Sequence, residues 1–237
     1  MPTVDVAANL QRIRERLARA CEGAGRPADS VRLIAVTKRI DLDLVAAAVR
    51  AGQVDLGENR LQDAIPRQEA LTELLDDPSA TVRWHFIGHL QRNKAAKAGG
   101  KFHLIHGVHS EDLAGRLARR AEALDVVQPI LLQVNMTGES QKDGLAPEVV
   151  PGVACAVASM PHLELRGLMA MARHGDDERA LRHTFAAVRQ LRDRAQEACG
   201  RPMPELSMGM SGDFESAVLE GSTLVRVGTA IFGPRLT

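Results

Sequence analysis

The sequence predicts a single closed (β/α)8 barrel spanning residues 1–237, with an extra helix at its amino end, and three observations carry that reading. Eight short strand-like runs alternate with helix-patterned segments, and parallel strands joined by right-handed crossovers need helices to cover the sheet. The length of 237 residues suits one such barrel, and no composition shift or flexible linker marks a second domain. The G-x-G-x-x-G turn expected after the first strand of an open, dinucleotide-binding sheet is missing.

The elements follow in order. Within residues 1–25, Val6, Leu10, Ile13, Leu17 and Cys21 recur at helical steps that end near Gly23 and Gly25, a helix expected to pack outside the barrel. Residues 31–36, rich in β-branched side chains, read as a buried first strand with Lys38 at its carboxyl edge. Asp41 caps a helix over 42–51 that Gly52 stops. Residues 53–57 make the second strand. Glu58 and Asn59 then open a helix carrying Leu61, Ile65, Leu71, Leu74 and Leu75, which Pro66 is expected to kink or split. Strands three and four cover 82–87 and 102–108, with a short helix after 88–94 and a helix capped by Ser110 that bears Leu113, Leu117, Ala121 and Leu124. Residues 129–135 form the fifth strand, followed by a polar loop with Lys142 and Gly144 and a helix over 146–159. The sixth strand, 163–169, leads into a helix with Leu181, Phe185, Val188, Leu191 and Ala195 on one side. Strand seven at 205–208, a helix over 214–220 ended by Gly221, and strand eight at 224–227 complete the count.

Composition narrows the function. Thirty basic and thirty acidic residues balance, which gives no electrostatic case for nucleic acid or an anionic membrane. The three cysteines, Cys21, Cys155 and Cys199, are few, odd in number and far apart, as expected of reduced thiols and not of a disulfide frame or metal site. Residues 1–5 lack the basic start of a secretory signal, and no apolar run approaches the ~20 residues that span a bilayer, so a soluble, cytoplasmic protein is expected.

The chemistry begins at Lys38. A lysine held near a desolvated barrel mouth loses its proton more readily and forms a Schiff base with a carbonyl compound, although a solvated surface lysine is the commoner use of the residue. In such barrels the working face is the carboxyl end of the strands, and phosphate often sits between the loops after strands seven and eight. Here residues 207–212, Ser-Met-Gly-Met-Ser-Gly, open a helix whose amino-terminal N–H groups favour an anion, and Gly228 and Thr229 follow strand eight. Glycines also serve ordinary tight turns, but two such loops at these positions strengthen the phosphate reading. Arg226, two residues before Gly228, shares its face of the strand and points inward, as a ligand group or as a structural ion-pair partner. An amine, a phosphate cradle and an interior arginine together suit pyridoxal 5'-phosphate (PLP).

The strings A-V-T-K at 35–38, G-E-N at 57–59, W-H-F-I-G-H-L-Q at 84–91, N-K at 93–94, R-G-L-M at 166–169, L-S-M-G-M-S at 206–211 and V-R-V-G-T-A-I-F-G at 225–233 closely resemble the pyridoxal phosphate homeostasis proteins. These are short, single-domain members of the alanine racemase-like, fold-type III barrel group, and the resemblance runs through almost the whole chain in order. It implies Lys38 as the residue of the internal aldimine, Ser207, Gly228 and Thr229 around the phosphate, Arg226 facing the pyridine nitrogen, and Asn59 near the ring. Arg60, where the family often has an aromatic residue, and Asp143-Gly144, in place of a commoner serine-glycine, depart from the pattern.

An always-charged guanidinium only donates, so a pyridine nitrogen facing it stays unprotonated and the ring is a weaker sink for carbanion electrons. The related two-base racemases use a tyrosine from a second, β-rich domain opposite the lysine, and this chain contains no tyrosine. His85 and His89 are the nominal replacements, but a histidine at a strand end is more often structural. His103, His106 and His109 change strand face at each step, which argues against a shared metal. The expectation is a non-catalytic PLP carrier, a monomer by family resemblance, that limits free cofactor and passes it to acceptor enzymes. An amino-acid racemase or another Schiff-base enzyme is the alternative, and a phosphate-binding barrel for a different ligand is a third reading.

Overall fold

The computed structural model describes residues 4–75, 77, 81–139 and 143–233; Lys142 lies outside them. Eight parallel strands close in sequence order into one barrel: β1 Arg32–Val36, β2 Asp55–Glu58, β3 Arg83–Phe86, β4 Leu104–Val108, β5 Gln128–Val134, β6 Leu163–Ala170, β7 Glu205–Ser207 and β8 Leu224–Val227. Closure is made by β8 pairing with β1, with Ile34 opposite Arg226.

Helices cover the outside: α1 Val6–Gly23, α2 Leu42–Arg50, α3 Leu61–Leu75, α4 Ala95–Ala98, α5 Glu111–Ala123, α6 Val150–Ala158, α7 Glu178–Cys199, α8 Phe214–Leu219 and α9 Thr229–Phe232. Their starts follow the sequence chemistry, with Asp5, Asp41, Ser110 and Asp177 each accepting a hydrogen bond from a first-turn N–H. Helix α1 buries Val6, Leu10, Ile13, Leu17 and Cys21 with residues of α2, α8 and α9, outside the strands.

Four details differ from the sequence reading. Glu58 belongs to β2, its carboxylate partnered by Thr37 in the turn after β1 and by Arg67, and α3 begins only at Leu61. Helix α3 is not split by Pro66, which lies in its second turn and removes one N–H donor from an otherwise continuous element. The segment expected as one helix over 146–159 begins with a 3-10 turn, Pro147–Val149, before α6. Helix α9, right after β8, has no counterpart in the sequence pattern; it is a single turn that buries Ile231 and Phe232 against α1's cluster.

Strand alternation sorts the residues into two environments. Leu33, Ala35, Leu56, Phe86, Ile105, Leu132, Leu168 and Val225 face the helices. Ile34, Leu104, Leu131, Met169 and Leu224 form a separate apolar cluster inside the barrel. Polar side chains, among them Asp55, His85, His106, Ser207 and Arg226, are buried alongside that cluster.

Candidate functional site

Lys38 sits on a turn fixed from below. Thr37, fully buried, donates its hydroxyl to Glu58 Oε1 at 2.7 Å, and its N–H donates to the Gly57 carbonyl. The Arg67 guanidinium lies 3.2 Å from Glu58 and donates to the Ile40 carbonyl at 2.8 Å, tying both ends of the turn to β2 and α3. Burial pushes the Glu58 carboxyl above its ordinary value, with the Thr37 hydrogen bond and the Arg67 charge opposing the rise. Arg39 completes the turn at a positive φ of 58°, so the chain reverses directly after the lysine.

The lysine opens into a cavity of about 680 Å³ at the carboxyl end of the barrel. Asn59, His89, Gln133, Asp143, Ser211, Arg226, Gly228 and Thr229 share its wall with Lys38. Gly209, at φ 90°, bends the chain after β7; a Cβ there would meet Phe214 Cα and Ala217 Cβ at 2.8 Å. That bend brings the Ser211 hydroxyl to the Gly228 N–H, 3.3 Å away, so the loops after β7 and β8 meet. At Gly228 a Cβ would stand 3.3 Å from Val36, whereas at Gly212 it would meet open space. The closing loops thus present a hydroxyl and bare backbone to the cavity, the surface an oxyanion needs.

Arg226 is 5 % exposed, and its charge is held by neutral acceptors and a more distant carboxylate. Nη2 donates to the Ala170 carbonyl at 3.1 Å and Nη1 to Ser207 Oγ at 2.5 Å. Burial lowers its pKa to about 10, the Asp213 charge opposing the fall, so it stays protonated at neutral pH. Behind it runs a line of buried contacts: Ser207 Oγ to His106 Nδ1 at 2.9 Å, His106 Nε2 to His85 Nδ1 at 3.0 Å, and His85 Nε2 to Asp55 Oδ1 at 2.9 Å. Arg83 grips the same Asp55 with two hydrogen bonds, of 2.7 and 2.8 Å.

The direction of this line is set by its ends. Burial alone would raise the Asp55 pKa, but hydrogen bonds from His85 and Arg83 hold it well below the usual carboxylate range, so Asp55 only accepts. His85 therefore donates from Nε2 and accepts at Nδ1; His106 donates from Nε2 and accepts at Nδ1 from the Ser207 hydroxyl. Ser207 Oγ in turn accepts from Arg226. Both imidazoles are neutral in this scheme, as burial requires: it lowers the His85 pKa and drives that of His106 well below its ordinary value.

Of the residues singled out from sequence, Lys38, Asn59, Arg226, Gly228 and Thr229 line one cavity, and Ser207 does not. Ser207 is fully buried at the end of β7, its oxygen taken up by Arg226 and His106; Ser211 stands at the wall instead. The S-M-G-M-S string contained both serines, and the glycine between them was the signal that the second emerges into the loop. His85 is structural, as its strand position suggested. His89, by contrast, is on the cavity wall, with Nδ1 2.9 Å from Asp143 Oδ2 and its ring stacked on that of His109 at 4.7 Å. Among the described residues no group of three or more His, Cys, Asp or Glu is placed to hold a metal.

PLP fits this surface. Amine, buried guanidinium, hydroxyl and glycine backbone converge on one cavity, and a Cβ at Gly228 would press on Val36 in its wall. Comparison with known proteins agrees. Residues 8–235 match the family described as alanine racemase, N-terminal domain. The chain is 40 % identical over 230 residues to the pyridoxal phosphate homeostasis protein of Pseudomonas aeruginosa and 37 % identical over 226 residues to that of Aquifex aeolicus, covering 97 % and 95 % of this chain and 96 % of each relative. It superposes on the PLP-bound structure of PipY from Synechococcus elongatus with a TM-score of 0.84 at 36 % identity, covering 97 % of this chain and all of that one. An alanine racemase from Clostridium difficile shares the fold, with a TM-score of 0.70 at 15 % identity over 57 % of its length. The chain therefore belongs to the pyridoxal phosphate homeostasis proteins, a family built on the barrel of the alanine racemase N-terminal domain.

Proposed function

We propose that this protein binds pyridoxal 5'-phosphate and serves its homeostasis as a non-catalytic, cytoplasmic carrier that is monomeric and releases cofactor to acceptor enzymes. The observation that carries the reading is the convergence of Lys38, Arg226 and the Ser211–Gly228–Thr229 surface on one cavity; the PLP bound to PipY supports it. When bound, PLP supplies an aldehyde for an amine, a phosphate dianion and a pyridine nitrogen.

Each requirement has a residue to meet it. The Lys38 amine, held by the Thr37–Glu58–Arg67 clamp, is the nucleophile for the aldehyde carbon. The Ser211 and Thr229 hydroxyls and the Gly228 backbone would hold the phosphate, and Asn59, on the same wall as Lys38, would contact the ring. Arg226 would donate to the pyridine nitrogen and, being charged already, would leave it unprotonated, which weakens the ring as an electron sink. The lack of tyrosine removes the acid–base partner used by two-base racemases.

One observation favours the enzyme as a second reading: His89, oriented by Asp143, places an imidazole on the same wall as Lys38. Incubating PLP-loaded protein with L- or D-alanine in deuterated water separates the two. The carrier reading expects no Cα deuterium above a protein-free PLP control, whereas exchange that disappears in His89→Gln would establish catalysis.

No helix among the described residues is long and apolar enough to cross a membrane. A light-scattering mass of one chain is expected; a dimer mass would contradict the monomer assignment.

A further inference from the structure

Two of the three cysteines, widely separated in sequence, are neighbours in space. Cys155 lies in α6 and Cys199 ends α7, and their Sγ atoms are 2.8 Å apart, close enough for the thiols to share a proton and for a small displacement to join them. Both are half-buried and within reach of a small oxidant, whereas Cys21 is sealed in the packing of α1. No other role described above uses this pair.

We propose that Cys155 and Cys199 are a redox-sensitive pair that closes into a reversible disulfide, joining α6 to the end of α7, when the protein meets a peroxide. Burial and the hydrogen-bonded neighbour push the Cys199 thiol up, and the geometry lets either sulfur take the first step, since both are half-buried and 2.8 Å apart. One sulfur of the pair, as its thiolate, attacks the peroxide; the O–O bond breaks, that sulfur becomes a sulfenic acid, and the departing hydroxide leaves as water after protonation. The other sulfur then attacks the sulfenic sulfur; the S–O bond breaks, and the departing hydroxide takes the attacking thiol's proton as a second water. Two thiols and one peroxide thus give one disulfide and two waters. A dithiol reverses the change by exchange.

The ring so closed contains β6, the segment after it and all of α7. That segment supplies Met171, Arg173, His174 and Asp176 to the cavity wall, so oxidation tethers one side of the cavity without touching Lys38 or the closing loops. Shortening the unfolded chain's freedom over this ring stabilises the fold.

The test is peptide mapping of the full chain after hydrogen peroxide, under non-reducing conditions, beside a dithiothreitol-treated control. The expected product is a cross-linked pair of peptides containing Cys155 and Cys199, lighter by two hydrogens than their sum and abolished by dithiothreitol, with Cys21 still a free thiol on denaturation. The oxidised protein should melt roughly 5–10 °C higher than the reduced one. Cys21→Ser should keep that shift, and Cys155→Ser and Cys199→Ser should each lose it. Peroxide treatment that leaves both thiols free, carries them to sulfinic or sulfonic acid, or links either to Cys21 would overturn the proposal. It is independent of what the cavity binds.

Discussion

Arg226 shows how a single side chain is committed to one task. A buried guanidinium could turn its donors toward any carbonyl, but two are already spent on Ala170 and Ser207, and Ser207 is held in turn by the His106–His85–Asp55 line. Removing the hydroxyl should be costly although Ser207 never reaches the cavity. Ser207→Ala leaves a buried Arg226 N–H and His106 Nδ1 without their partner, and the expected loss is about 1–3 kcal/mol in urea unfolding of the cofactor-free protein. A change under 0.5 kcal/mol, roughly the noise of a neutral surface substitution, would mean the line is not intact. Sequence made Lys38 and Arg226 legible because each follows from strand position and charge. It could not assign Ser207 and Ser211 correctly to interior and wall, since both are serines near one strand end and only the bend at Gly209 separates them.

At the scale of elements, the site depends on close approach between backbones that carry no catalytic atoms. Gly88, following β3, passes so near the β2 terminus that a Cβ would lie 2.1 Å from the Asn59 carbonyl oxygen. Neither chain can move cheaply, because both are held in the barrel ladder, with the Ile87 N–H donating to the Glu58 carbonyl at 2.8 Å. Gly88→Ala should therefore displace Asn59 and the cavity rim, costing about 2 kcal/mol or more in stability and weakening PLP binding in a spectrophotometric titration. Unchanged affinity would remove Asn59's surroundings from the site. The strands and main helices were legible because their apolar periods are strong. The start of α3 was not: Glu58 looks like a first-turn helix acid until its partners in the neighbouring turn and on α3 are known.

For the molecule as a whole, the polar barrel interior predicts an acid-sensitive fold. His85 and His106 have folded-state pKa values below the unfolded value near 6.5, so the unfolded chain binds more protons as pH falls and stability declines below that point. Asp55 acts in a lower window: its depressed pKa contributes stability above about 4 and loses it as pH falls further. Between pH 7 and pH 5 stability in chemical unfolding should fall, the two histidines together contributing at most about 4 kcal/mol of the loss. A flat profile over that interval would show that neither histidine is held neutral. The barrel's closure was readable from the alternation of elements, whereas its polar filling was not, because inward residues from strands far apart in sequence meet only once the ring is closed. Whether this ring positions one amine for one aldehyde is read by adding PLP, reducing with borohydride and mapping the labelled peptide. A pyridoxyl group on Lys38, lost in Lys38→Ala, is the expected product; a label spread over other lysines, or retained in that variant, would mean that the barrel mouth does not select Lys38.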